Sequence, residues 1–244
     1  RFRTDSELSR LNAADGTPVR VSPETIDLLT ACDHWREATC GAFSPLIGKA
    51  LAAWGYAESR DDHALGVDAS PGCVPVPRDR LVFDSELRLA RVPPGSALDL
   101  GGIAKMWSAQ RAAETLVARC SDPCLLVEAG GDMVAARGDH TVRVEAPGDH
   151  AIVVHEGQGI ATSGWSRRHW VNGDGEQAHH LIDPSTGAPG PRAQATVCAD
   201  DPIAAEIEAK VLALRPEELA ATANPALLWH TDSVRTNEAW REAA

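Results

Sequence analysis

Two stretches carry residue types that could act on a phosphate: Leu98-Asp-Leu-Gly-Gly-Ile-Ala-Lys105 and His179-His-Leu-Ile-Asp-Pro-Ser-Thr-Gly187. In the first, a short apolar run enters paired glycines, Gly101 and Gly102, and then a helical segment. Bare backbone N–H groups and the positive end of a helix would face an anion there. Asp99 and Lys105 flank the turn and raise its interest above that of an ordinary strand–helix connection. In the second, His179 and His180 precede a turn that begins with Asp183. An imidazole near a carboxylate can be tuned to move a proton near pH 7. Phosphate chemistry on a nucleotide is the first expectation.

Other segments fit the same chemistry. Glu128-Ala-Gly-Gly-Asp132 holds a second glycine pair, Gly130 and Gly131, after an apolar run. Alone it is a turn; as a second pair it suggests two backbone segments approaching one ligand. Thr162, Ser163 and Gly164, followed by Arg167, place hydroxyl and guanidinium groups that suit phosphate oxygens. The chain has three lysines, Lys49, Lys105 and Lys210, and the last two fall in motif-like segments.

The elements that would position these residues follow from local signals. The opening Thr4–Leu8 reads as a helix start. Ser22-Pro23-Glu24 is a capping serine followed by proline at the first helical position. That helix runs to about Cys40, and Ser44-Pro45 starts a short one ending near Trp54-Gly55. Residues 59–79, rich in Asp, Pro and Gly, read as an irregular excursion. Strands are expected at Leu81–Phe83, Leu87–Val92 and Leu98–Leu100, then a helix from Ile103 to about Arg119. Further strands fit Leu125–Glu128, Met133–Ala136, Val142–Glu145, Ile152–His155, Ile160–Thr162, His169–Val171, His180–Ile182 and Ala195–Ala199. A helix from Pro202 to about Leu214, a second start at Pro216 and a strand at Leu227–Trp229 follow. The polar stretch 232–244 reads as a docked helix or a tail. This density of strands among about five helices predicts an α+β fold of mixed, mostly antiparallel sheets with packed helices, and not a doubly wound sheet.

Composition bounds the function. With 244 residues and 43% hydrophobic content, the chain can bury a full core. No apolar run approaches the roughly 18 residues that span a bilayer. A formal charge of −12 without a basic block argues against nucleic acid as a partner. The six cysteines show no C-x-x-C pair, which argues against structural zinc and fits buried or surface thiols in a reducing, cytoplasmic compartment.

The motifs taken together, in this order, resemble the ApbE family of flavin transferases. Ser6–Asn12, Gly41–Pro45, Trp54-Gly55, Leu98–Lys105, Gly130–Asp132, Ala161–Gly164 and His180–Gly187 all fall on family blocks. The resemblance implies an ApbE-like (T-fold-like) single domain over 1–244 that splits the pyrophosphate of FAD. It implies transfer of FMN to a Thr or Ser hydroxyl of an acceptor protein, release of AMP, and a magnesium ion on the phosphates. It implies cofactor-binding roles for Asp99, Gly101, Gly102, Lys105, Glu128, Gly130, Gly131, Asp132, Thr162, Ser163, Gly164, Arg167, His180 and Lys210. The base role falls on His180, with His179 as the second choice. A further strand with a Met-Gly-Thr-like segment is expected ahead of Arg1.

The chain departs from the family in the helix after the last core strand. The family's Asp and, four residues on, Thr or Ser are replaced by Glu206 and Lys210. The resemblance leaves the Gly102 backbone and Glu206 as metal contacts. A charged ammonium has no lone pair for a metal, so Lys210 would stand in the cation's place. Alternative readings are an FAD-binding protein without transfer, or an FAD pyrophosphatase in which water replaces the acceptor.

Overall fold

The computed structural model describes residues 3–56, 74–172 and 175–244. In chain order the first elements are α1 (Glu7–Ala13), β1 (Val19–Arg20), α2 (Pro23–Ala38), α3 (Gly48–Ala53), β2 (Val82–Asp84), β3 (Leu89–Arg91) and α4 (Ala104–Arg119). Next come β4 (Leu125–Ala129), β5 (Asp132–Arg137), β6 (His140–Val144), β7 (His150–Val154), β8 (Gly159–Gly164), β9 (His169–Val171) and β10 (Gln177–His179). The last are β11 (Ile182–Asp183), β12 (Ala188–Pro189), β13 (Ala193–Ala199), α5 (Pro202–Leu214), β14 (Ala226–His230), β15 (Ser233–Thr236) and α6 (Glu238–Ala243). The expected α+β class with antiparallel sheets is what the chain adopts.

The elements group into two units. One gathers the chain up to Leu100 with Arg167–Gly190; the other is Gly101–Ser166 with Pro191–Ala244. Each is described by itself.

In the first unit, α2 starts where Ser22 caps the amide of Thr25 and Pro23 opens the helix. The Glu7 carboxylate of α1 accepts from the Ser22 amide at 2.9 Å and the Ser22 hydroxyl at 2.8 Å, tying the two helices together. An aromatic cluster forms around Trp54 and Trp170, whose indole N–H groups donate to the Gly187 carbonyl (2.9 Å) and the Trp54 carbonyl (2.6 Å).

The second unit is built on a six-stranded antiparallel sheet in the order β15-β14-β13-β8-β5-β4. Helix α4 packs on β4 and β5, and α5 on β8 and β13. Side chains alternate across the sheet. The odd positions of β5 and even positions of β8 and β13 therefore face away from these helices. There Ala135, Ile160 and Cys198 pack with Val142, Val144, Ile152 and Val154 of the β6–β7 hairpin and with Trp240 of α6.

Three expectations need correction. Leu98–Leu100 is not a strand: the Leu98 amide and carbonyl are held by the side chain of Asn12 at 2.7 and 2.9 Å, and the Asp99 amide donates to the Pro45 carbonyl at 2.8 Å. Side-chain and loop partners satisfy this backbone, so no ladder forms. The strand expected at His180–Ile182 is instead β10 and β11, with His180 between them. The polar 232–244 stretch contains a strand, β15, as well as the helix α6. Its alternation Ser-Val-Arg-Thr fits the edge of the sheet beside β14. Of the excursion at 59–79, residues 59–73 lie outside the described residues, and 74–79 carry no regular structure.

Candidate functional site

The second unit brings Gly101, Gly102, Lys105, Glu128, Gly130, Gly131, Asp132, Thr162, Ser163, Gly164, Glu206 and Lys210 into one unit of the chain. At its centre are two buried carboxylates. Asp132, 1% exposed, opens β5, and Glu206, also 1% exposed, lies in the second turn of α5.

Asp132 stands where the β5–β8 ladder ends. The paired register runs Val134–Gly159 and Met133–Ile160. Beyond it, Asp132 Oδ1 accepts the Thr162 amide at 3.0 Å, and Oδ2 pairs with the Lys105 ammonium. The side chain thus finishes a ladder and anchors a cation.

Glu206 caps α4 from a neighbouring helix. The residue before α4, Ile103, offers no side-chain cap. Glu206 Oε2 instead accepts the Met106 amide at 3.0 Å, one of the orphan donors of the first turn. Its Oε1 has no hydrogen-bond partner and lies 3.7 Å from the Lys105 ammonium. Burial pushes the Glu206 carboxyl above the ordinary carboxylate value; Lys210 opposes this most, then Lys105. Lys210 is four residues on, on the same face of α5.

Gly102 shows where the Lys210 side chain lies. A Cβ placed on Gly102 would fall 2.9 Å from Lys210 Cε and closer still to its Nζ. The ammonium therefore lies against the Gly102 backbone just ahead of α4.

The other candidates sort by local geometry. Gly130 and Gly131 have φ of +65° and +94° and join β4 to β5 as a two-residue hairpin turn. That turn alone requires residues that accept positive φ. The Gly131 amide donates to Glu128 Oε1 at 2.6 Å, so this donor is spent within the turn. Gly130 lies over Lys105, with 3.7 Å between its Cβ position and Lys105 Cδ. The Thr162 hydroxyl is bonded to that of Thr196 at 2.8 Å, on the face away from α4 and α5. Thr162 therefore contributes its amide here, and its hydroxyl is structural. Ser163, one residue on, is buried and shares the helix-side face with Asp132. Gly164 packs against Gln194.

Thr196 is the residue that sequence reasoning missed. Its signal was a polar residue inside the otherwise apolar run Ala193–Ala199, paired in register with Thr162.

Asp99, Arg167, His179 and His180 belong to the first unit. His179 is buried. Its Nδ1 accepts the Leu181 amide at 3.3 Å, so Nε2 carries the proton and donates to the Gly190 carbonyl at 2.9 Å. Both nitrogens are engaged with backbone. His180 is half-buried, and its Nδ1 lies 3.4 Å from the Arg168 carbonyl. Asp183 holds its own turn: Oδ1 accepts from the Ser185 amide at 2.8 Å and hydroxyl at 2.7 Å. Arg167 is exposed.

A magnesium ion does not fit the residues of the second unit. The carboxylates Asp132 and Glu206 already face two ammoniums, Lys105 and Lys210. Among the described residues no group of three or more His, Cys, Asp or Glu side chains is assembled to hold a metal.

Comparisons with known proteins agree on the family. The model of the ApbE family matches residues 1–227. A Klebsiella pneumoniae protein named FAD:protein FMN transferase is 29% identical over 205 residues, covering 77% of this chain. One of the same name from Treponema pallidum is 30% identical over 214 residues, with 77% of this chain covered. The chain spans 58% of the length of each of these relatives. The crystal structure of the ApbE protein of Thermotoga maritima matches with a TM-score of 0.82 at 25% identity, covering 98% of this chain and 83% of that one.

Proposed function

On the premise that the chain belongs to the ApbE family, we propose that it transfers FMN from FAD to a Thr or Ser hydroxyl of an acceptor protein and releases AMP. The observation that carries the reading is the second unit's cation pair at the start of α4. Lys210 lies against the Gly102 backbone just ahead of a 16-residue helix, and Lys105 stands in that helix's first turn beneath Gly130. A pyrophosphate is the anion class that such an arrangement suits.

In this reading the acceptor hydroxyl oxygen attacks the FMN-side phosphorus. The new P–O bond replaces the bond to the bridging oxygen, which leaves with AMP. His180 takes the hydroxyl proton, since His179 has both ring nitrogens engaged with backbone. The ammoniums of Lys105 and Lys210 hold charge that develops on the phosphoryl oxygens. Asp99, the Gly101 and Gly102 amides and Ser163 serve in holding FAD, and Arg167 supplies a further cation.

FAD binding tests the reading. Calorimetry or quenching of flavin fluorescence should give saturable FAD binding, with NAD and ATP weaker. NAD or ATP binding well, with no affinity for FAD, would overturn it.

A further inference from the structure

The family resemblance implies a divalent ion at the Gly102 backbone and Glu206, and the residues here do not fit one. Between those two positions lies an ammonium. Lys210 rises from α5 one turn after Glu206, and its side chain fills the space against Gly102. Lys105 reaches the same carboxylates from α4, 3.7 Å from Glu206 Oε1 and paired with Asp132. Two negative and two positive side chains thus balance. A dication added here would meet two ammoniums at short range, in a setting that screens poorly.

We propose that Lys210 is a built-in replacement for the metal: its ammonium occupies the cation's place between Gly102 and Glu206, and the unit binds its anionic ligand without magnesium. The ammonium brings one charge and three donors, and it cannot be removed by chelation. Glu206 caps α4 through Met106, and its charge interacts with Lys210 one turn on.

Titration of the apo protein with magnesium chloride alone is the first arm. Calorimetry should show no stoichiometric binding in the millimolar range, and thermal unfolding should not move with magnesium. The second arm measures FAD affinity in EDTA and in magnesium, and it rests on the proposed function. The two values should agree within about twofold for the native chain. Lys210→Met should weaken FAD binding in EDTA by about tenfold, the loss of one charge-assisted contact.

Should Lys210→Met not fold, Gly102→Ala serves in its place. It keeps the charge and displaces only a flexible side-chain end, and it should weaken FAD binding in the same direction. Stoichiometric magnesium binding by the native apo chain, or FAD affinity that collapses in EDTA, overturns the proposal. Absence of FAD binding under every condition overturns the transferase reading instead, and the magnesium titration then decides the role of Lys210 alone.

Discussion

His179 and His180 are adjacent, yet their surroundings divide the work. The buried His179 imidazole is bonded to backbone at both nitrogens, which suits a structural part, while the half-buried His180 has its Nδ1 3.4 Å from the Arg168 carbonyl. His180→Ala should therefore reduce FMN transfer on the order of 10²–10⁴-fold, the range for a general base, with FAD affinity little changed. His179→Ala should instead lower the melting temperature. Kinetics and binding measured on both variants separate the roles, and a normal rate in His180→Ala would remove the base assignment. The resemblance ranked His180 ahead of His179, but the residues themselves gave no physical reason, because His179's engagement depends on the Gly190 carbonyl, eleven residues away. The sequence also could not tell that the Thr162 hydroxyl turns to Thr196. Face assignment needs a register, and the register comes from strands far apart in the chain. The i,i+4 spacing of Glu206 and Lys210 was readable, and their burial among Lys105, Asp132 and Gly102 was not.

Strand β8 and helix α5 set the position of that cluster. Gly159 opens β8 against Pro202 at the first turn of α5; a Cβ there would fall 2.5 Å from Pro202 Cα and 2.6 Å from its Cβ. Neither atom can swing away, unlike the lysine end beside Gly102. Gly159→Ala should cost about 1–3 kcal/mol of stability by forcing strand and helix apart. Urea unfolding checks it, and an unchanged midpoint would mean that α5 does not close on the strand. Elements with strong local punctuation were legible: Ser22-Pro23 starts α2 and Pro202 opens α5, where the structure adds Asp201 as the cap on the Ile203 amide. Leu98–Leu100 misled because an apolar triplet reads as a strand wherever its backbone partners come from. Here they come from the Asn12 side chain and a loop carbonyl. The β15 edge was hidden by its polarity, since only one of its faces packs.

Across the whole chain the net charge is negative, while the cluster at the start of α4 balances two carboxylates with two ammoniums. The formal charge is −12, while the pair Lys105 and Lys210 supplies cations where an anion would have to be held. Holding an anion against such a field needs fixed local donors, and amides at a helix start with two positioned ammoniums are that kind of donor. Motif order along the chain made the family legible, because seven short blocks in sequence are far more specific than any one glycine pair. The fold class followed from strand density and turn signals. The departure from the family at Lys210 was legible as a residue change, and its packing against Gly102 was not. The most direct test of the account is product analysis of FAD incubated with this chain and the acceptor protein of a related flavin transferase. The account predicts AMP released in step with covalent FMN on the acceptor, read by mass spectrometry. Intact FAD, or free FMN and AMP with no flavin on the acceptor, would contradict it.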